Sequence, residues 1–362
     1  MDRRSFLKKA GLATGAVAAS TLAAPAIAQG GTELKMVTSW PKNFPGLGTA
    51  AERFGQRIEK ATEGRYRVRV FAGGELVHPL KCHDAVQEGT AELYHSADYY
   101  YQGKVKGYAF FCAVPFGFRS DEIDAWVHHG GGQQLWDEMG GEFGIKHLPC
   151  GNTGSQMGGW FNKPMRSLED FKGLKMRIPG LSGDVIKALG GTSVTLAGSE
   201  ILPALQAGTV DATEWVGPWN DLAFGFYKVV KFYHYPGFHE PGSLLGLGIS
   251  RQLWDGLSEG DKAIFEACAL AENNWDLAEF NANNTQALDT LTTKHGVELV
   301  EFSDDIFKGM GEAAKDVLAS AGASDPMTKK IYESFLDFRK KAVSWSKLSD
   351  QSYMNKRALT TF

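Results

Sequence analysis

Two stretches of this 362-residue chain echo one another, and the echo limits the fold more than any single element does. Ala85-Val86-Gln87-Glu88-Gly89-Thr90-Ala91-Glu92 is matched by Ala204-Leu205-Gln206-Ala207-Gly208-Thr209-Val210-Asp211. Each reads as a helix that stops at glycine and turns directly into a strand. Such turns are common enough to arise by chance. Their positions, however, are those of equivalent units in two similar lobes, and a cleft between such lobes is a natural place for a ligand. The length also exceeds a typical single domain of about 100–200 residues.

Around the echo, strands alternate with helices. Residues 34–40 read as a strand, and Ala51, Phe54, Ile58 and Ala61 mark one face of the helix after it, which Gly64 ends. Residues 65–71 alternate basic with apolar side chains, as a half-exposed strand does. Further strands are predicted at 91–95, 174–178, 193–196 and 210–214. The pattern predicts an α/β fold with two sheets. In the last third, Ser258 and Asp261 form a capping box. Ile264, Cys268, Ala271, Trp275, Ala278 and Ala282 follow at helical spacing and predict one long helix laid across both lobes on that stripe. A second stripe, Ile331, Phe335, Phe338, Ala342 and Trp345, predicts another helix near the end. The aromatic tail beyond it packs either on its own body or on a second subunit.

The first residues predict export. Arg3-Arg4-Ser5-Phe6-Leu7-Lys8 is a twin-arginine pattern, a small apolar stretch follows over 10–24, and Ala26-Ile27-Ala28 offers a cleavage site. Residues 1–28 therefore read as a signal peptide, the apolar run being short for a membrane span of about 20 residues. Removing it takes away four basic residues and one acidic one, so the formal charge moves from −4 to −7. That balance offers no basic surface for nucleic acid. Cys82, Cys112, Cys150 and Cys268 lack the spacing of a zinc site. Export would permit a disulfide, but buried free thiols suit a core of this size.

Hydrolase, metalloprotease and nucleotide-binding signatures are missing: there is no G-x-S-x-G, H-E-x-x-H, P-loop or G-x-G-x-x-G after a strand. His128-His129 reads as a surface pair, and Pro241 directly after His239-Glu240 spoils helical metal spacing. Binding is better served. The glycine-rich run from Gly151 to Trp160 lies at the expected crossing between lobes, where Asn152 and Gln156 supply neutral polar groups. In Leu174-Lys175-Met176-Arg177-Ile178, Arg177 falls near the end of a strand and can grip a carboxylate through two parallel hydrogen bonds. Glu214, directly after the second copy of the echo, would repel such a ligand unless a cation or proton lay between them. A bridging metal ion resolves that tension, and Trp215 can wall an apolar pocket. Tyr99, Tyr100 and Tyr101 follow the first copy of the echo and should reach the same cleft.

Taken together, these segments resemble the solute-binding proteins of tripartite ATP-independent periplasmic (TRAP) transporters. The resemblance covers essentially the whole chain and is most specific at Tyr99-Tyr100-Tyr101, Gly151 to Trp160, Leu174 to Arg177 and Ala212 to Pro218. Where the general family has Glu-Asn-Pro, this chain has Glu214-Trp215-Val216-Gly217-Pro218, as in the branch that binds 2-oxo acids such as pyruvate, and lactate. The resemblance implies a type II-like periplasmic binding protein with two lobes. Lobe 1 would take residues 33–150 and about 240–280, lobe 2 residues 151–239 and about 281–325. A C-terminal helical extension over 326–362 would join a homodimer. It further implies Arg177 on the ligand carboxylate and sodium or calcium held by Glu214, the Trp215 backbone and Glu240, with Gln156 touching ligand, cation or both. The loaded protein would dock on a membrane permease. Open alternatives are a binding protein for another organic anion, with Lys175 as a second base, and a periplasmic enzyme using Glu214 beside a metal.

Overall fold

The computed structural model describes residues 31–361, so the expected leader lies outside it. In chain order the strands are β1 (Thr32–Thr38), β2 (Tyr66–Phe71), β3 (Leu93–Ser96), β4 (Ile145–Asn152), β5 (Gly159–Phe161) and β6 (Lys175–Arg177). They continue as β7 (Thr192–Val194), β8 (Ala212–Thr213), β9 (Phe232–Tyr235), β10 (Leu244–Ser250) and β11 (Glu298–Glu301). Two sheets result, ordered β2-β1-β3-β10-β4 and β11-β9-β5-β8-β6-β7. In each, one strand opposes its two neighbours: β10 runs against β3 and β4, and β5 against β8 and β9. The chain reaches both of these strands by crossing from the other sheet, as it does again at β11. Residues 153–158 lead from β4 to β5, and residues 236–243 lead from β9 back to β10.

The two copies of the echo fold alike in atomic detail. Helices Cys82–Gln87 and Gly198–Gln206 each end before a glycine in the left-handed region, Gly89 at φ 77° and Gly208 at φ 68°. Thr90 N donates to Ala85 O at 2.8 Å, and Thr209 N donates to Ala204 O at 3.0 Å. Only glycine takes this φ without a steric cost. Each copy then delivers its strand to the middle of a sheet.

A buried aspartate braces the segment after each strand. Asp98 accepts from Tyr94 Oη and from Trp136 Nε1, both at 2.9 Å. Asp221 accepts from Tyr233 Oη at 2.6 Å and Trp160 Nε1 at 2.9 Å. Burial pushes both carboxyl groups up to about 7, although the donated hydrogen bonds work against it.

The long helix forms as expected, over Glu259–Thr293, with the Ser258 hydroxyl accepting from Asp261 N at 3.1 Å. Its orientation corrects the predicted stripe. Ala271, Ala278 and Ala282 face solvent and Trp275 is 55 % exposed, whereas Phe265, Ala269, Glu272, Asn273, Asp276 and Phe280 are buried. The reason is ionic: Arg53, from helix Leu47–Ala61, meets Glu272 and Glu279 at 2.8 Å each, and Arg57 meets Glu272 at 3.1 Å. Asn273 Oδ1 also accepts from Gly151 N at 3.2 Å, tying the helix to the end of β4.

Helix Pro326–Leu348 buries Ile331 and Phe335, the latter against Phe110 and Phe118. Beyond Phe338 the chain's contacts with the body become mostly polar: Arg339 Nε donates to Phe116 O at 2.9 Å, Ser346 Oγ donates to Glu122, and Arg119 meets Asp350 at 2.7 Å. Trp345 and Leu348 are 68 % and 76 % exposed, and helix Asp350–Arg357 buries nothing. All four cysteines are buried free thiols. Among the described residues, no helix is long and apolar enough to cross a membrane.

Candidate functional site

The carboxyl end of β6 carries Arg177 inward, while Lys175, two residues earlier, stays exposed. Arg177 is fully buried. Its Nε and Nη2 donate to Leu196 O at 3.2 and 3.0 Å, and its Nη1 donates to Glu214 O at 3.1 Å. Nη1 also pairs with Glu214 Oε1, and Nη2 reaches Tyr100 Oη at 3.4 Å. The guanidinium lies 5.1 Å from the Trp215 ring. Every one of these partners fixes the fork in one orientation.

The two crossing segments run side by side and supply the rest. Thr153 N donates to Ser243 O at 3.0 Å, and Gln156 N donates to Glu240 O at 3.1 Å. Gly237 permits this approach, since a Cβ there would collide with the Gln156 carbonyl. Glu240 Oε2 accepts from Gln156 Nε2 at 2.8 Å and from the Ser243 hydroxyl. Gln156 Nε2 further approaches Thr153 Oγ1 at 3.0 Å, which leaves its Oε1 buried without a partner. Glu214 Oε2 and Trp215 Nε1 are likewise buried and unpartnered.

Several of these groups border a narrow cavity of about 10 Å³, and Arg177 stands behind two of its lining residues, Tyr100 and Trp215. Gln156, Thr153, Glu240 and Ser243 line one side, Tyr99, Tyr100, Trp215 and Val216 another, and Trp40, Leu47, Ala97 and Leu245 close it. Trp40 and Phe44, from one sheet's loops, meet Trp215 edge-on at ring separations of 6.3 Å each. The site is therefore small, aromatic-walled and shared between both halves of the fold.

Two predicted ligand residues lie elsewhere. Tyr101 packs in the core against His83, Tyr94 and Tyr108. Asn152 is fully buried, its Oδ1 accepting from Gly154 N at 2.9 Å to hold the turn. Conversely, sequence reasoning set His239 aside by testing for helical spacing, whereas residues 236–243 form no helix. His239 is fully buried with Nε2 3.4 Å from Glu214 Oε2, and it forms with Glu214 and Glu240 a group whose ligand atoms lie within 4.8 Å.

Electrostatics at the site are tightly balanced. Burial opposes the charge on Arg177, but Glu214 and the flanking tyrosines outweigh it and hold the guanidinium above its ordinary value. Burial and the nearby Glu214 charge push Glu240 up to about 7. Two carboxylates and an unpartnered amide oxygen form a hard oxygen set, which fits sodium or calcium.

Known proteins share this architecture. Residues 36–325 match the family described as bacterial extracellular solute-binding protein, family 7. A curated relative, the monocarboxylate 2-oxoacid-binding periplasmic protein of Nostoc sp., is 38 % identical over 360 residues, covering 98 % of each chain. A TRAP transporter solute-binding protein from Bordetella bronchiseptica superposes with a TM-score of 0.89 at 32 % identity, covering 91 % of this chain and 98 % of its own. That crystal is a mixed-occupancy dimer with calcium and picolinate at one active site. A second, from Pseudoalteromonas atlantica with bound sodium and pyruvate, gives a TM-score of 0.87 at 33 % identity and covers 90 % and 99 %.

Proposed function

Because this chain belongs to the bacterial extracellular solute-binding proteins of family 7, we propose that it captures a small 2-oxo monocarboxylate of the pyruvate type for a TRAP permease. The observation that carries the reading is Arg177, fully buried, paired with Glu214 and in contact with Tyr100 and Trp215, which line a narrow cavity. The Arg177 Nη2 edge, which reaches Tyr100 Oη at a long 3.4 Å, would take the ligand carboxylate, and Trp215 Nε1, Tyr99 and Tyr100 would flank it. Glu214, Glu240, Gln156 Oε1 and the Trp215 carbonyl would hold a sodium or calcium ion, whose charge offsets the two carboxylates facing an anionic ligand. The relatives that bind pyruvate with sodium, or picolinate with calcium, support this choice.

Lobes built on residues 33–150 with 240–280, and 151–239 with 281–325, would close on the ligand and exclude water, where a charge pair is stronger than in bulk solvent. The acid would be held and released unchanged, so one-to-one binding without product is expected. Export through the twin-arginine leader would place the protein in the periplasm. The exposed end of helix Pro326–Leu348, with the helix after it, would join a homodimer.

Titration of pyruvate in excess calcium tests the central assignment. Arg177→Ala is expected to cost about 2–5 kcal/mol of affinity, as for a buried charge pair left half empty. An Arg177→Ala protein that stays folded and binds pyruvate as tightly as the parent would remove Arg177 from the site.

A further inference from the structure

His239 is the group at the site for which the proposed ligand and cation contacts leave no role. Its neighbours are pinned on both sides: Phe116 N donates to Phe238 O at 2.8 Å, and Gln156 N donates to Glu240 O at 3.1 Å. Those two bonds, with Pro241 following, fix the direction in which the ring leaves the backbone. The ring is fully buried, and its Nε2 lies 3.4 Å from Glu214 Oε2; neither atom has a hydrogen-bond partner, so each is the nearest opposite group the other has to meet. Arg177 stands on the other oxygen of the same carboxylate.

We propose that His239 is a positioning residue, holding Glu214 through Oε2 so that the carboxylate presents its remaining lone pairs to the cation beside Glu240 and Gln156. This rests on the cation reading above and deepens it. A carboxylate offers about four lone-pair sites. With Nη1 of Arg177 on Oε1 and Nε2 of His239 facing Oε2 at 3.4 Å, turning the carboxylate about its terminal bond is disfavoured, while lone pairs on both oxygens stay free. Outer contacts of this kind orient the ligands of metal sites and typically change metal affinity by about 10–100-fold. A direct role as ligand suits the ring less well, because hard cations take oxygen and Glu214, Glu240 and Gln156 already converge on the spot.

Calcium is the probe, titrated calorimetrically into full-length protein stripped with chelator, before any ligand is added. His239→Leu removes the contact at similar volume, and His239→Gln restores a donor near the position of Nε2. His239→Leu is expected to weaken calcium by about 10–100-fold. His239→Gln should stay within about threefold of the parent. If the leucine variant fails to fold, His239→Asn, whose amide stops short of Glu214, takes its place with the same expected loss. Unchanged calcium affinity in His239→Leu or His239→Asn would overturn the inference, as would a glutamine variant no better than leucine. A parent protein that binds neither calcium nor sodium would instead overturn the cation reading, and this inference with it.

Discussion

Arg177 keeps a positive charge where water does not reach, and three elements share the task of making that tolerable. Glu214 supplies the opposite charge, Leu196 and Glu214 supply carbonyls, and Tyr100 supplies a hydroxyl. The residue types were legible in the sequence because both Arg177 and Glu214 fall at the ends of strands, the second directly after the repeated unit. Tyr101 was not, for a geometric reason. Residues 98–101 form a 3₁₀ turn, where successive side chains point about 120° apart. Three consecutive tyrosines there cannot share a cavity, so Tyr99 and Tyr100 reach it and Tyr101 turns into the core. On the proposed reading, the apolar wall would set which acid fits. Leu47 and Ala97 are each 1 % exposed and line the cavity. Leu47→Ala is expected to shift preference from pyruvate toward 2-oxo acids one or two carbons longer by about tenfold, the scale at which pockets sense a methylene. Competitive titration with 2-oxobutyrate would show it, and an unchanged ratio would place Leu47 outside the specificity wall.

Among the elements, the braced strands carry a pH signature. Asp98 and Asp221 are buried carboxyl groups pushed up to about 7, well above the range of an exposed aspartate. Between about pH 4 and 7 the folded protein therefore binds protons that the unfolded chain does not. Their contribution to stability is fully present below about pH 4 and is lost as pH rises through 7. Asp221→Asn is expected to flatten that limb, gaining on the parent as pH is raised from 4.5 to 8 in denaturant unfolding. Parallel curves for the two proteins would mean that Asp221 is ionised throughout. The long helix gives the matching lesson about patterns. Alanines at helical spacing carry too little apolar area to decide which face is buried. The buried face belongs instead to Glu272, Asn273 and Asp276, because Arg53 and Arg57 neutralise the acids there. That pairing spans more than 200 residues of sequence and leaves no local trace.

Across the whole molecule, the repeated units, the crossing strands and the shared cavity form a frame that periodicity and glycine placement largely foretold. The hidden part was how the two crossings run against each other. Their site-bearing residues, among them Ser243, are ordered by contact with each other, not by helix or strand periodicity. The C-terminal region sits outside that frame. Trp345, Leu348, Tyr353 and Met354 are all more than half exposed, a patch that suits a second copy of the chain. Light scattering should find a dimer for the parent and a monomer after deletion of residues 343–362, with pyruvate affinity retained in the truncated protein. A truncated protein that stays dimeric would move the interface elsewhere.

Arg177 and Glu214 are proposed to serve an anion and a cation together. Pyruvate titrated into chelator-stripped protein, with and without added calcium or sodium, tests that most directly. One-to-one binding strengthened by at least about tenfold on adding either cation is the predicted result, within the range of ordinary coupling between sites. Pyruvate binding of equal strength in chelator and in calcium or sodium would contradict it.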